Sequence, residues 1–138
     1  MNQVTPPAGI LETAIYADNL DAAAWFYHDL LGLEEVMRAA DRHIFYKCGQ
    51  SMLLIFNAEQ TKKVSGSGIA VPPHGATGEG HICFRASDEE INNWISLFTR
   101  NNISIEMDFH WPNGARSMYV RDPAGNSVEF AEPRLWGF

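Results

Sequence analysis

Apolar and polar residues alternate in the same order twice along the chain, over residues 10–57 and again over residues 80–131. In the first half, an alternating segment at residues 10–17 precedes "NLDAAAWFYHDLLG", whose apolar residues have helical spacing and whose Asn19 is placed to cap a helix. A period of two is typical of strands, so this half predicts a strand, a helix and three further strands. Those three strands are expected at Glu34–Ala39, Arg42–Lys47 and Ser51–Asn57.

The second half repeats this order. Ser87 begins a capping box with Glu90, which predicts the start of a helix that ends near Asn101. Turn-forming residues at Asp122–Asn126 separate the last two alternating segments. The strands of this half are expected at Gly80–Ala86, Ser104–Phe109, Ala115–Arg121 and Ser127–Ala131.

Two copies of a βαβββ module predict the α+β class, in a single domain over residues 1–138. Module one covers about residues 9–58 and module two about residues 80–132. One module alone leaves a sheet face uncovered, so we expect the two modules to form a curved mixed sheet around a cleft, with the helices outside. The loop at about residues 60–79 exceeds an ordinary connection and is either a flexible linker or a lid.

Composition narrows the class of protein. The 138 residues are 46% hydrophobic, which suits one domain with a substantial core. A formal net charge of −7 argues against a nucleic-acid partner, and no apolar run approaches the roughly 20 residues of a membrane span. Cys48 and Cys83 lack the spacing of a disulfide or metal motif, which predicts a reduced, cytoplasmic protein without a signal peptide. Cys83 alternates with apolar neighbours and is expected to be a small core residue rather than a nucleophile.

Three potential metal ligands interrupt the apolar strands: Glu12, His81 and Glu129. Aligning the two halves on Glu12 with His81, and on the turn glycines, places Leu53 opposite Glu129, so three of four equivalent positions carry ligand side chains. A carboxylate on an apolar strand is costly unless it is paired, hydrogen-bonded or bound to a metal. One imidazole and two carboxylates suit a divalent ion. The alternative is three unrelated residues, a hydrogen-bonded core histidine and two solvated carboxylates.

The sequence resembles the vicinal oxygen chelate superfamily, which includes glyoxalases, extradiol dioxygenases, fosfomycin-modifying enzymes and bleomycin-resistance proteins. The resemblance covers roughly residues 9–132 and implies the paired-module fold. It does not select one reaction, because the superfamily includes unrelated chemistries. The segments that carry it are "LETAIYADNLDAAAWFYHDLLGLEEV", "EGHICFRASD" and "SMYVRDPAGNSVEFAEP".

The resemblance also implies a site. Glu12, His81 and Glu129 match the family's metal ligands, for a divalent ion that the sequence does not identify among Mn, Fe, Co, Ni, Zn and Mg. Tyr119 resembles a substrate-facing tyrosine, with ordinary strand packing as the alternative. Leu53 stands where glyoxalases carry another glutamate, which is a departure from that pattern. Family members commonly form homodimers whose sites draw ligands from two subunits, although a protomer that closes its own site is the alternative.

Charge favours one type of chemistry. One neutral histidine and two carboxylates cancel the charge of a divalent ion, whereas two histidines and one carboxylate leave +1. A neutral site suits proton transfer beside a polarised carbonyl, with Glu12 or Glu129 as the base. We therefore expect a metal-dependent lyase or isomerase acting on a small molecule, with dioxygenase chemistry still open. The alternative is a metal-free drug-binding protein of the bleomycin-resistance type.

Other polar and aromatic residues are expected to be solvated or structural. The aromatic tail "RLWGF" is expected either to cover an interface or to pack on its own subunit. The residues expected to be solvated or structural are His28, Arg38, His43, His74, His110 and Trp111.

Overall fold

Within residues 3–64 and 68–138, which the computed structural model describes, eight strands form two four-stranded mixed sheets. The chain divides into two units, Met1–Thr77 and Gly78–Phe138, and each contains one of these sheets. Each unit has a strand, a helix and three further strands in chain order. The predicted α+β class and the repeated βαβββ order are therefore confirmed.

In the first unit the sheet order is β1-β4-β3-β2, with β1 parallel to β4 and the other pairs antiparallel. The helix predicted from Asn19 begins as an α-helix, capped by a hydrogen bond from the Ala22 amide to Asn19 Oδ1 at 3.0 Å, and continues as a π-helix. The elements are β1 (Glu12–Tyr16), α1 (Leu20–Ala24) with its π-helical continuation Trp25–Leu30, β2 (Glu34–Ala39), β3 (His43–Cys48), β4 (Ser51–Phe56) and α2 (Ala58–Thr61).

The second unit repeats the arrangement, with sheet order β5-β8-β7-β6 and β5 parallel to β8. Ser87 and Glu90 form the predicted capping box at the start of the helix. The elements are β5 (His81–Arg85), α3 (Asp88–Arg100), β6 (Met107–His110), β7 (Arg116–Arg121), β8 (Ser127–Ala131) and a 3-10 helix (Pro133–Trp136).

Each sheet packs its helix against one face only. In the first unit Tyr27 approaches Tyr46 on this face, with 6.4 Å between ring centroids. In the second unit the Phe130 ring packs against Trp94 and Phe98 of α3 at 5.2 and 5.7 Å. Because successive strand residues point to opposite faces, Glu129 lies on the face opposite Phe130, away from the helix.

The strand register corrects the equivalence of Leu53 with Glu129. Glu12 pairs with Met52 and His81 pairs with Ser127, so counting two residues onward makes Leu54, not Leu53, the counterpart of Glu129. Leu53 is 1% exposed, whereas Leu54 lines a cavity together with Glu12. The alignment on the turn glycines treated the two hairpin turns as equal in length. They are not, because two residues join β3 to β4 whereas five join β7 to β8.

Described residues of the predicted loop at residues 60–79 contact other parts of the first unit. Its first residues complete the short helix α2. Further along, the His74 amide donates to the Thr61 carbonyl at 3.0 Å, and His74 Nδ1 lies 2.7 Å from the Tyr16 hydroxyl. Of the predicted loop, residues 65–67 lie outside the described residues, and closure of a lid stays a prediction. No helix in the described part of the chain is long and apolar enough to cross a membrane.

Candidate functional site

His81 opens β5 and is held by its neighbour on β8. Its Nδ1 lies 3.0 Å from the Ser127 carbonyl oxygen. A carbonyl can only accept, so Nδ1 carries a proton, which leaves Nε2 as the ring nitrogen that can bind a metal. A backbone partner on the other ring nitrogen is the usual way in which a metal-binding histidine is oriented.

Glu129 lies on the same sheet face as His81 and is 6% exposed. Its Oε2 accepts a 2.6 Å hydrogen bond from the Ser117 hydroxyl, which in turn accepts the Trp111 indole N–H at 2.8 Å. Oε1 lies 3.3 Å from His81 Nε2. This chain of hydrogen bonds fixes one carboxylate oxygen and leaves the other facing His81 Nε2.

The His81 and Glu129 atoms fit two ligands of one divalent ion. Ligands bound at about 2.1 Å lie roughly 3.0–3.4 Å apart on a tetrahedral or octahedral ion. The separation of 3.3 Å falls within this range, and imidazole nitrogen with carboxylate oxygen is a common ligand combination. No group of three or more His, Cys, Asp or Glu side chains suited to a metal occurs among the described residues. The roles of His81, Glu129 and Glu12 as metal ligands therefore stay a prediction.

Tyr119 borders this pair of residues. It pairs with Glu129 across the β7–β8 ladder, and its ring stacks at 6.3 Å from His81 and at 6.0 Å from Phe109. Burial, together with the charge of Glu129 and a hydrogen bond to it, raises the pKa of Tyr119 to about 12. The phenol is thus protonated at neutral pH and is available as a hydrogen-bond donor beside the two candidate ligands.

Cys83 corrects a prediction. It was expected in the core, but it lies exposed on β5, paired with Glu129 in the ladder. Partial removal of the thiol from water and the nearby Glu129 charge raise the pKa of Cys83 to about 12. The thiolate is the reactive form, so Cys83 is not suited to be a nucleophile at neutral pH.

Glu12 lies in the first unit, at the start of β1. Its side chain lines a cavity of about 680 Å³ in that unit, which Leu54 also lines. Among the described residues none forms a hydrogen bond or ion pair with the Glu12 carboxylate, in contrast to the anchored Glu129. Glu12 is therefore available for a ligand or substrate.

Sequence reasoning missed Ser117 altogether and ranked Trp111 only as a loop residue. The available signal was a serine two positions before Tyr119, which places both side chains on the same face of a strand. Several of the residues set aside have structural partners: His28 Nδ1 lies 2.7 Å from the Leu33 carbonyl, and Arg38 forms an ion pair with Asp21 at 3.1 Å.

The two aromatic side chains of the C-terminal tail do not pack on their own unit. Trp136 and Phe138 are 78% and 81% exposed. The prediction that these two side chains pack on their own subunit is therefore wrong. Their place in an interface between subunits stays a prediction.

These features define a class: repeated βαβββ modules that carry a histidine and a carboxylate on the sheet face opposite the helix. The sequence model of the Glyoxalase/Bleomycin resistance protein/Dioxygenase superfamily matches residues 9–130, and the chain belongs to this family. The resemblance drawn from the three sequence segments is confirmed.

Solved structures agree with this membership. The chain is similar to lactoylglutathione lyase from Agrobacterium tumefaciens, with 48% identity over 96% of this chain and 99% of that one and a TM-score of 0.91. A glyoxalase/dioxygenase from Nostoc punctiforme shares the fold alone, with 18% identity over 95% of this chain and 97% of that one and a TM-score of 0.66. No curated protein matches the chain.

Proposed function

We propose that the protein is a divalent-metal-dependent lyase that acts on lactoylglutathione or a related 2-hydroxyacyl thioester. The observation that carries the proposal is the His81–Glu129 pair, because both side chains are oriented by second partners and their facing atoms are 3.3 Å apart. The 48% identity to a lactoylglutathione lyase supports the choice of substrate. Dioxygenase chemistry has no comparable support in the site.

His81, Glu129 and Glu12 would hold the metal. When bound, a divalent ion would polarise a substrate carbonyl. Glu129 is suited to remain a ligand, because Ser117 holds its other oxygen. Glu12 is the better base, since no described residue holds its carboxylate and it can leave the metal to accept a proton. The sequence left the base open between these two glutamates.

The reaction balances without an oxidant or water. Lactoylglutathione has a hydroxyl on C2 and a thioester at C1. Glu12 takes the C2 proton and returns it to C1, the C1–S bond breaks, and the thiolate takes the hydroxyl proton, which yields a 2-oxoaldehyde and a thiol. Tyr119, protonated because its pKa is raised to about 12, donates a hydrogen bond to a substrate oxygen.

We also propose that the protein works as a homodimer in which Glu12 of one subunit completes the site of the other. The family resemblance suggested this arrangement, and the exposed Trp136 and Phe138 offer apolar surface for an interface. A reduced, cytoplasmic location remains part of the proposal, consistent with two free cysteines, Cys48 and Cys83.

The test is metal content together with turnover. Untagged protein is stripped with EDTA, reloaded separately with Mn, Fe, Co, Ni, Zn or Mg, dialysed, and measured by elemental analysis and by consumption of lactoylglutathione. We expect about one metal equivalent per chain and metal-dependent turnover. His81→Ala should lose both, whereas His110→Ala, at an exposed histidine of the same unit, should lose neither.

Either of two results would contradict the proposal. Unchanged metal content in His81→Ala would remove His81 from the site. A wild-type protein that retains no saturable metal would favour the alternative function, a binding protein that does not react with its ligand.

Removing the Ser117 hydroxyl tests the support of Glu129. Ser117→Ala frees Glu129 Oε2 and leaves the Trp111 indole N–H without its acceptor. Loss of an orienting partner of this kind lowers metal affinity about 10–100-fold. Competition with a chromogenic chelator measures the change, and Ser96→Ala on the exposed side of α3 is the matched control. Equal affinities in the two variants would show that Ser117 does not position a ligand.

A further inference from the structure

The cavity that Glu12 lines contains a buried imidazole donor without an acceptor. His43, at the start of β3, is 8% exposed, and its Nε2 is buried without a hydrogen-bond partner among the described residues. Its ring stacks on Phe45 with centroids 4.1 Å apart and meets the edge of Phe56 at 5.8 Å. The two aromatic contacts hold the imidazole in place.

The tautomer of His43 follows from its neighbour. Arg42 Nη1 lies 2.7 Å from His43 Nδ1. A guanidinium can only donate, so Nδ1 accepts and the proton of the neutral ring resides on Nε2. Burial, and then the charge of Arg42, lower the pKa of His43, which keeps the ring neutral at pH 7. A buried N–H without an acceptor destabilises the fold, and an oxygen from a ligand would supply the missing acceptor.

Arg42 supplies a positive charge at the same position. Its guanidinium carbon lies 5.6 Å from the centre of the Phe56 ring, and no described carboxylate forms a salt bridge with it. With Nη1 engaged by His43, the remaining guanidinium N–H groups can donate to a ligand. The rest of the wall comes from Glu12, His74 and apolar residues that include Phe45, Leu54 and the loop residues Ile69 and Val71.

We propose that this cavity binds a small organic carboxylate, whose oxygens accept from His43 Nε2–H and Arg42 and whose apolar part lies against Phe45, Phe56 and the loop residues. A carboxylate fits better than a neutral carbonyl because its two oxygens can serve both donors, and because Arg42 has no salt bridge with a described carboxylate, Glu12 of the same cavity included. The glutathione part of lactoylglutathione carries two carboxylates. Because Glu12 lines the same cavity, we assign one of them to this site, and that assignment alone rests on the proposed function.

The experiment uses phenylacetate as the probe, with metal-free full-length protein in EDTA and constant ionic strength. Titration is followed in histidine-labelled protein by the ¹⁵N and ¹H resonances of His43 Nε2–H. We expect saturable binding with a downfield shift of this proton, and weaker binding of the neutral analogue phenylacetamide. Arg42→Met should weaken phenylacetate binding about tenfold or more, and Arg100→Met, an exposed arginine of α3, should leave it within about twofold.

The outcomes separate this inference from the proposed lyase. Absence of saturable binding, an unmoved His43 proton, or equal binding by Arg42→Met and wild type would overturn the inference. His43→Phe retains the aromatic stack and should also lose binding. If that variant does not fold, the wild-type resonance still decides the question. Probe binding in EDTA without metal-dependent turnover would support the carboxylate site and contradict the proposed lyase. Metal-dependent turnover without probe binding would support the lyase and contradict the carboxylate site.

Discussion

Glu12→Gln and Glu129→Gln should each reduce turnover of lactoylglutathione by about 10²- to 10⁴-fold. Both substitutions retain the size of the side chain and remove a negative charge, so the loss reflects the missing base or ligand rather than a cavity. Glu12→Gln should chiefly lower kcat, whereas Glu129→Gln should also lower metal content. Steady-state kinetics and elemental analysis measure the two effects. Glu89→Gln, exposed in the first turn of α3, is the control and should match wild type.

Mixing the two inactive variants tests whether the site is shared. A heterodimer contains one Glu12→Gln subunit and one Glu129→Gln subunit. If each site takes Glu12 from one subunit and Glu129 from the other, one of its two sites combines the two unchanged glutamates. Random exchange at equal concentrations should therefore restore about a quarter of wild-type activity. A mixture that stays inactive although subunit exchange is verified would mean that each protomer uses its own Glu12.

Phe130→Ala should cause the largest loss of stability. The Phe130 ring is 2% exposed and packs against Phe84, Trp94 and Phe98 between β8 and α3. Removing a buried phenyl ring costs about 3–5 kcal/mol, which lowers Tm by roughly 10–20 °C in a chain of this size. Thermal and urea unfolding measure the change.

The matched control is Phe138→Ala, because Phe138 is 81% exposed. A substitution there should change stability by no more than about 0.5 kcal/mol. If the two phenylalanine variants were equally stable, the packing of α3 on Phe130 would not be the core that the structure describes.

The elements were predictable because each sheet buries one face against a helix. Alternation follows directly from that arrangement, and Glu34–Ala39 and Ser127–Ala131 match the predicted strands residue for residue. The residue at which strand pairing begins depends on the partner strand, and the hydrophobic pattern of one segment carries no information about its partner. The strand expected from Ser104 therefore begins only at Met107.

The site was less predictable because its details depend on neighbours across the sheet. His81 and Glu129 stood out as polar residues on apolar strands, and the structure places them together. The role of Ser117 depends on its position opposite Ala131, from which it reaches the Glu129 carboxylate, and only the register reveals this. His43 was grouped with the residues expected to be solvated or structural, because sequence does not show that Arg42 Nη1 donates a hydrogen bond to His43 Nδ1.

The unequal hairpin turns have a consequence for how such a site can change. In the first unit, odd-numbered residues of β4 such as Leu53 face the helix, and Leu54 faces the side of Glu12. A carboxylate introduced at residue 53 would be buried without a partner, whereas one at residue 54 would lie on the cavity side, with Glu12. A substitution at position 54 alone is thus a short evolutionary path toward one more ligand than the three proposed.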